Sequence, residues 1–159
     1  MRKEIINPSS PETKPSQSRW IDVESLARVE ISSEDAAYPI ESALVTGTGG
    51  GPGWRAEKPG PQTLRIIFNT PTQLRQVYLE FLENQVARTQ EFVLRWSADQ
   101  GQSFREIVRQ QYNFNPPGTT SEKEEYQVNL SGVTTLELNI IPAQGHPEIK
   151  ASLARLLLA

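Results

Sequence analysis

The chain has 159 residues, 36% of them hydrophobic, enough for one domain with a real core and too little for two independent cores. It carries no cysteine and one histidine, which excludes disulfides and argues against a transition-metal site; no metal or other cofactor is expected. A formal net charge of −3 lacks the basic surplus that phosphate neutralisation needs, which argues against nucleic acid as a partner, although Arg28, Arg55, Lys58, Arg65, Arg75 and Arg88 could still converge locally.

From the N-terminus, residues 1–18 hold Pro8, Pro11 and Pro15 among serines and charges, and are expected to form a disordered tail ahead of one domain over 19–159. No stretch near the start is apolar enough for a signal peptide, and none approaches the roughly 20 apolar residues of a membrane helix. The expected address is the cytoplasm, with no membrane contact. Trp20 should anchor the domain entry, and Ala27 to Ser32 alternates like a half-buried strand. Ser33 to Leu44 reads as a long loop in which Pro39 can open one helical turn. Gly47-Thr48-Gly49-Gly50-Gly51-Pro52-Gly53 permits tight turning before Trp54.

Thr63 to Phe68 reads as a strand, followed by a turn at Asn69-Thr70-Pro71. Leu74, Val77, Tyr78 and Phe81 have helical spacing, yet Val77, Leu79 and Phe81 also alternate; position between clearer strands selects a strand. Glu91 to Ala98 and Phe104 to Tyr112 look like a hairpin about Asp99-Gln100-Gly101, although the second arm also tolerates a helical reading. Glu122 to Glu125 reads as a solvated charge run. Two further strands follow, around Tyr126 to Leu130 and Leu136 to Ile140, with a turn at Ser131-Gly132. Ser152 to Leu158 is a closing strand or a short helix. Seven or eight short strands and no convincing long helix predict an all-β sandwich or barrel.

The order of Ile31-Ser32-Ser33-Glu34, Trp54-Arg55-Ala56, Leu64 to Phe68, Leu74 to Phe81, Phe92 to Asp99 and Leu136 to Pro142 is similar to the discoidin or coagulation factor 5/8 C-terminal-type module. This resemblance spans about Arg28 to Ala159. It implies a galactose-binding-like jelly-roll β-sandwich of about eight strands, a fold with stand-alone bacterial members. It further implies a non-enzymatic module that binds a carbohydrate or similar polar ligand through end loops: Ser33 to Ala43, Thr46 to Lys58, Glu83 to Gln90 and Gln144 to Glu148. A sugar's C–H face stacks on aromatic rings while its hydroxyls hydrogen-bond to charged and amide groups, so the candidate ligand residues are Tyr38, Trp54, Arg55, Asn84, Arg88 and His146. Many members carry Asp-Gly near a structural calcium, whereas this chain has Val45-Thr46-Gly47, which argues against the metal. Trp54-Arg55-Ala56-Glu57-Lys58 also resembles the N-terminal domain of the scaffold protein of single-strand-break DNA repair. That implies the alternative, a protein–protein interaction scaffold.

Competing readings are open at several residues. Trp54 is either a sugar platform or an inward plug, and Trp96, on an alternating face, is expected in the core. Gly51 to Ala56 matches Gly-x-Gly-x-x-Ala, but Pro59 and Pro61 prevent the helix that a phosphate cradle requires. His146 has no partner serine in a nucleophile elbow. Glu34, Asp35, Glu41 and Glu83 are the carboxylates near the loops, whose separations a glycosidase would need to fix.

Overall fold

Strict alternation of core and surface residues runs through Gln62 to Phe68, so the backbone is extended and one face is buried. The computed structural model describes residues 19–46 and 51–159, and it continues this strand well past Pro71. The elements are a four-residue helix α1 (Val23–Leu26), β1 (Ala27–Ile31), a second four-residue helix α2 (Glu41–Leu44), β2 (Trp54–Pro59), β3 (Gln62–Leu82), β4 (Arg88–Ser97), β5 (Arg105–Phe114), β6 (Ser121–Ile141), β7 (Lys150–Leu153) and β8 (Arg155–Leu158). The expected tail over 1–18 and the glycines at 47, 49 and 50 lie outside the described residues.

β3 and β6, 21 residues each, pair antiparallel along nearly their whole length. The first half of β3 and the last half of β6 lie between β1 and β4, with β5 beyond β4; the second half of β3 lies between the first half of β6 and β8. The two strands therefore pass from one layer of a sandwich to the other. Register shifts between Ile67 and Gln76, together with Gly132 at φ +69°, accommodate the bend. Pro71, which cannot donate to a ladder, sits at this bend rather than in a turn between separate strands. The predicted turn at Ser131-Gly132 is likewise a kink within one strand. β2 and β7 form a separate two-stranded sheet.

The core lies between the layers. Leu64, Ile66, Phe92, Leu94, Leu136, Leu138 and Ile140 face Leu74, Val77, Leu79, Phe81, Leu156 and Leu158. Phe81, Phe92, Tyr112 and Phe114 form an aromatic cluster with centroids 5.3 to 6.2 Å apart. Burying each large apolar side chain contributes about 1.5–3 kcal/mol. Trp20 is buried against Tyr78, and Ile21 N–H donates to Leu158 O at 2.7 Å, which seats the start of the described chain. Trp96 is only half-buried, packed against the core rather than within it.

Two local expectations are corrected. The charge run at Glu122 to Glu125 is the start of β6, where Glu122 and Glu124 are half-buried on one face; burial, then Glu124, raises the Glu122 carboxyl. The closing segment is two strands broken at Ala154, whose N–H donates to Glu80 O at 2.9 Å. The helix α1 was not anticipated.

On the outer face of the larger sheet, Glu137 is 1% exposed because two arginines cover it. Arg65 Nε donates to it at 2.8 Å and Arg95 Nε at 2.9 Å, and Asn139 Nδ2 donates at 2.8 Å. Burial alone would raise this carboxyl, but the hydrogen bonds from Arg65, Arg95 and Asn139 hold it below its ordinary value of 4.5. Its contribution is therefore complete above pH 4.5 and is lost as pH falls through the lower folded-state value. Glu137→Gln is expected to cost about 1–3 kcal/mol in urea unfolding at pH 7, with the gap to wild type narrowing as pH falls below 4.5.

Candidate functional site

β2 alternates, placing Trp54 and Ala56 inward and Arg55 outward. Across the ladder Arg55 faces Ser152 of β7, where Lys150 and Ser152 point out while Ala151 and Leu153 point into the core. This outward face is the floor of a groove of about 430 Å³. Tyr38 and Pro52 border it on one side, the segment Leu82 to Val86 on another, and Glu148 and Ile149 at the rim. The volume lies within the range usual for small-ligand sites. The four separate loop segments predicted from the sequence thus meet at one place.

Hydrogen bonds fix each wall. Asp35 N–H donates to Arg55 O at 2.9 Å, and Arg55 N–H donates to Tyr38 O at 3.2 Å, so the first loop is stitched to β2. Within that loop Asp35 Oδ1 accepts from Ala37 N–H at 2.9 Å and Glu34 Oε1 from Ile40 N–H at 2.6 Å. These carboxylates shape turns, and among the described residues no group of three or more His, Cys, Asp or Glu could hold a metal ion. The Arg55 guanidinium carbon lies 4.6 Å from the centroid of the Tyr38 ring, a cation–π stack that orients both side chains.

Trp54 is an inward plug, not a platform. It is 2% exposed, and its indole Nε1–H donates to Ser33 O at 3.1 Å, satisfying the one polar atom of the buried ring. The glycine before it makes this possible. Gly53 has φ +87°, and a Cβ there would meet Leu153 O at 2.7 Å, so only glycine lets the chain approach β7 this closely. Gly53 N–H donates to Ser42 Oγ at 2.6 Å.

Arg88 is also removed from ligand contact. At 5% exposed it donates through Nε to Glu83 Oε1 at 2.8 Å and through Nη1 to Gln90 Oε1 and Pro142 O, each at 2.6 Å. Its guanidinium carbon lies 4.8 Å from the Phe114 ring centroid. Glu83 in turn accepts from Gln85 N–H at 3.0 Å and Val86 N–H at 3.2 Å. Burial pushes the Glu83 carboxyl up, but these backbone donors and Arg88 outweigh it and leave the group below its ordinary value. The pair is a clamp that holds the Glu83 to Val86 wall against the core.

Of the candidate residues, Tyr38, Arg55 and Asn84 line the groove and the little of Trp54 that is exposed borders it, whereas His146 stands outside it, exposed, with Nδ1 3.6 Å from Glu148 Oε1. Gln85, Lys150 and Ser152 join the lining unforeseen. The Lys-Ala-Ser-Leu alternation of β7 carried the signal for the last two, but it is hidden in a segment only four residues long.

No protein-family model matches the sequence, and no curated protein matches it. Solved structures match it in fold. The CBM32 module of AlyQ in complex with 4,5-unsaturated mannuronic acid is 16% identical over 84% of this chain and 95% of that one, with a TM-score of 0.59. The family 32 carbohydrate-binding module of C. perfringens NanJ in complex with galactose is 12% identical over 85% of this chain and 94% of that one, with a TM-score of 0.56. A Ruminococcus gnavus GH29 fucosidase in complex with fucose is 8% identical over 84% of this chain and 25% of its own, with a TM-score of 0.62. The chain thus shares the all-β sandwich fold of these structures, a likeness coarser than the discoidin-type assignment that the sequence motifs imply.

The burial of Trp20 and Trp54 beside the half-buried Trp96 sets an expectation for acrylamide quenching of tryptophan fluorescence. Trp96→Phe should remove most of the quenchable component, and Trp54→Phe should leave it in place.

Proposed function

We propose that the chain is a non-catalytic module that binds a carbohydrate in the groove above β2 and β7. The observation that carries this reading is the convergence of Tyr38, Arg55, Asn84, Gln85 and Ser152, from separate segments, around one preformed concavity. Arg55, Asn84, Gln85 and Ser152 supply hydrogen-bonding groups for hydroxyls, and Leu82, Val86 and the rim of Tyr38 supply apolar surface for a sugar's C–H face. The shared fold with modules named for carbohydrate binding supports the same reading.

The state of the carboxylates supports binding over cleavage. A glycosidase needs a general acid whose carboxyl is raised toward neutral pH. Glu83 is shifted the opposite way and is locked to Arg88, while Glu34 and Asp35 are committed to turns. The scaffold alternative draws on Leu82 and Val86, 51% and 40% exposed, which would also suit an apolar peptide side chain.

Isothermal titration against a panel of neutral and acidic oligosaccharides tests the proposal. At least one should bind, Arg55→Ala should weaken it at least tenfold, and His146→Ala should leave it unchanged. Saturable binding of peptides with no response to any glycan would favour the scaffold instead.

A further inference from the structure

Arg55 and Lys150 project from the same outward face of the groove floor, since Arg55 faces Ser152 and Lys150 lies two residues from Ser152 along β7. The ladder is irregular between them, with Lys150 pairing to Pro59, but both side chains line the same groove and can reach one anionic group there. Arg28, Arg65, Arg88, Arg95 and Arg109 each meet a carboxylate, but no ion pair among the described residues engages Arg55 or Lys150. Nor does either side chain donate a hydrogen bond to another described residue. Stacking on Tyr38 holds the Arg55 guanidinium plane while leaving its N–H edges available.

The acids of the lining do not cancel this pair equally. Glu83 spends its charge on Arg88 and on the amides of Gln85 and Val86, away from the floor. Glu148 is highly exposed at the rim and lies beside His146. The floor therefore presents two cations whose natural complement is a carboxylate, which the guanidinium fork can bind through two parallel hydrogen bonds.

We infer that the groove selects an acidic sugar, a uronate whose carboxylate sits between Arg55 and Lys150. This inference rests on the carbohydrate reading and sharpens it. A neutral sugar would displace water from both cations without replacing the lost solvation by charge, whereas a uronate replaces it. Because the site is open to solvent, the preference depends on ionic strength.

The test titrates the folded protein with tetramers of galacturonate and of mannuronate, each beside its methyl ester, and with neutral tetrasaccharides. The ester keeps the ring and removes the charge. At 50 mM NaCl at least one acid should bind ten times more tightly than its ester, with the advantage shrinking at 0.5 M. Arg55→Gln and Lys150→Gln should each reduce that advantage, and Glu148→Gln should enlarge it. Lys58→Gln, at an exposed position outside the groove lining, should leave it unchanged. Equal affinity for acid and ester, or binding of neutral tetrasaccharides alone, overturns acid selection while the carbohydrate reading stands. An acid advantage that survives Arg55→Gln/Lys150→Gln also overturns it, because the discrimination then lies elsewhere. If no glycan binds, both readings fall.

Discussion

The structure depends on two long strands staying paired while they change layer. β3 and β6 share a ladder from Gln62↔Ile140 to Leu82↔Ser121, and the sandwich exists because this ladder bends in the middle. The bend is built from irregular register around Phe68 to Gln76 and from a left-handed glycine at position 132. Past it, the side chains that face the core change parity: Leu74 and Gln76 are buried, and then Val77, Leu79 and Phe81. Gln76, the polar residue caught inside by this change, hydrogen-bonds to Arg19 and Glu125. Ala159 completes the arrangement by accepting from Arg75 and Gln76 N–H at 2.7 and 2.9 Å.

The groove follows from where that ladder ends. β3 stops at Leu82, and the chain must turn before β4 begins at Arg88. Glu83 and Arg88, at the two ends of that turn, are clamped together over Phe114, so the wall between them is fixed by the same aromatic cluster that fills the core. The opposite wall is fixed by Trp54, which Gly53 lets sink beneath the floor. A buried tryptophan and a buried arginine thus act as positioning residues for Arg55 and Asn84. On the outer face of the larger sheet Arg65 and Arg95 share Glu137, whereas no ion pair among the described residues engages Arg55 or Lys150 on the groove floor.

The strand content and most loop positions were legible in the sequence because alternation survives wherever the ladder is regular. The two segments with helical spacing are both strands with a bulge. Leu74 to Val77 crosses the parity change in β3, and Ile107 beside Val108 marks the extra residue where β5 slips against Leu94 and Arg95. An extra residue turns a spacing of two into three, which mimics a helix face. At the site, Tyr38 and Asn84 were legible because loops carry exposed polar and aromatic groups, while Arg55, expected in a loop, lies on the outward face of β2. Arg88 and Trp54 were misplaced among ligand contacts because their burial depends on Phe114, Pro142 and Ser33, none of them local. His146 sits in one of the predicted loops but stands outside the groove, a placement that only tertiary packing decides.

The central claim is that the groove over β2 and β7 is where a glycan binds. Amide chemical-shift mapping of labelled protein titrated with the tightest-binding oligosaccharide tests it most directly. The account predicts that shifts concentrate at Tyr38, Arg55, Asn84, Gln85 and Ser152. Shifts centred on Trp96, Asp99 and Arg105 at the far end of β4, or on Arg65 and Arg95 across the outer sheet face, would contradict it.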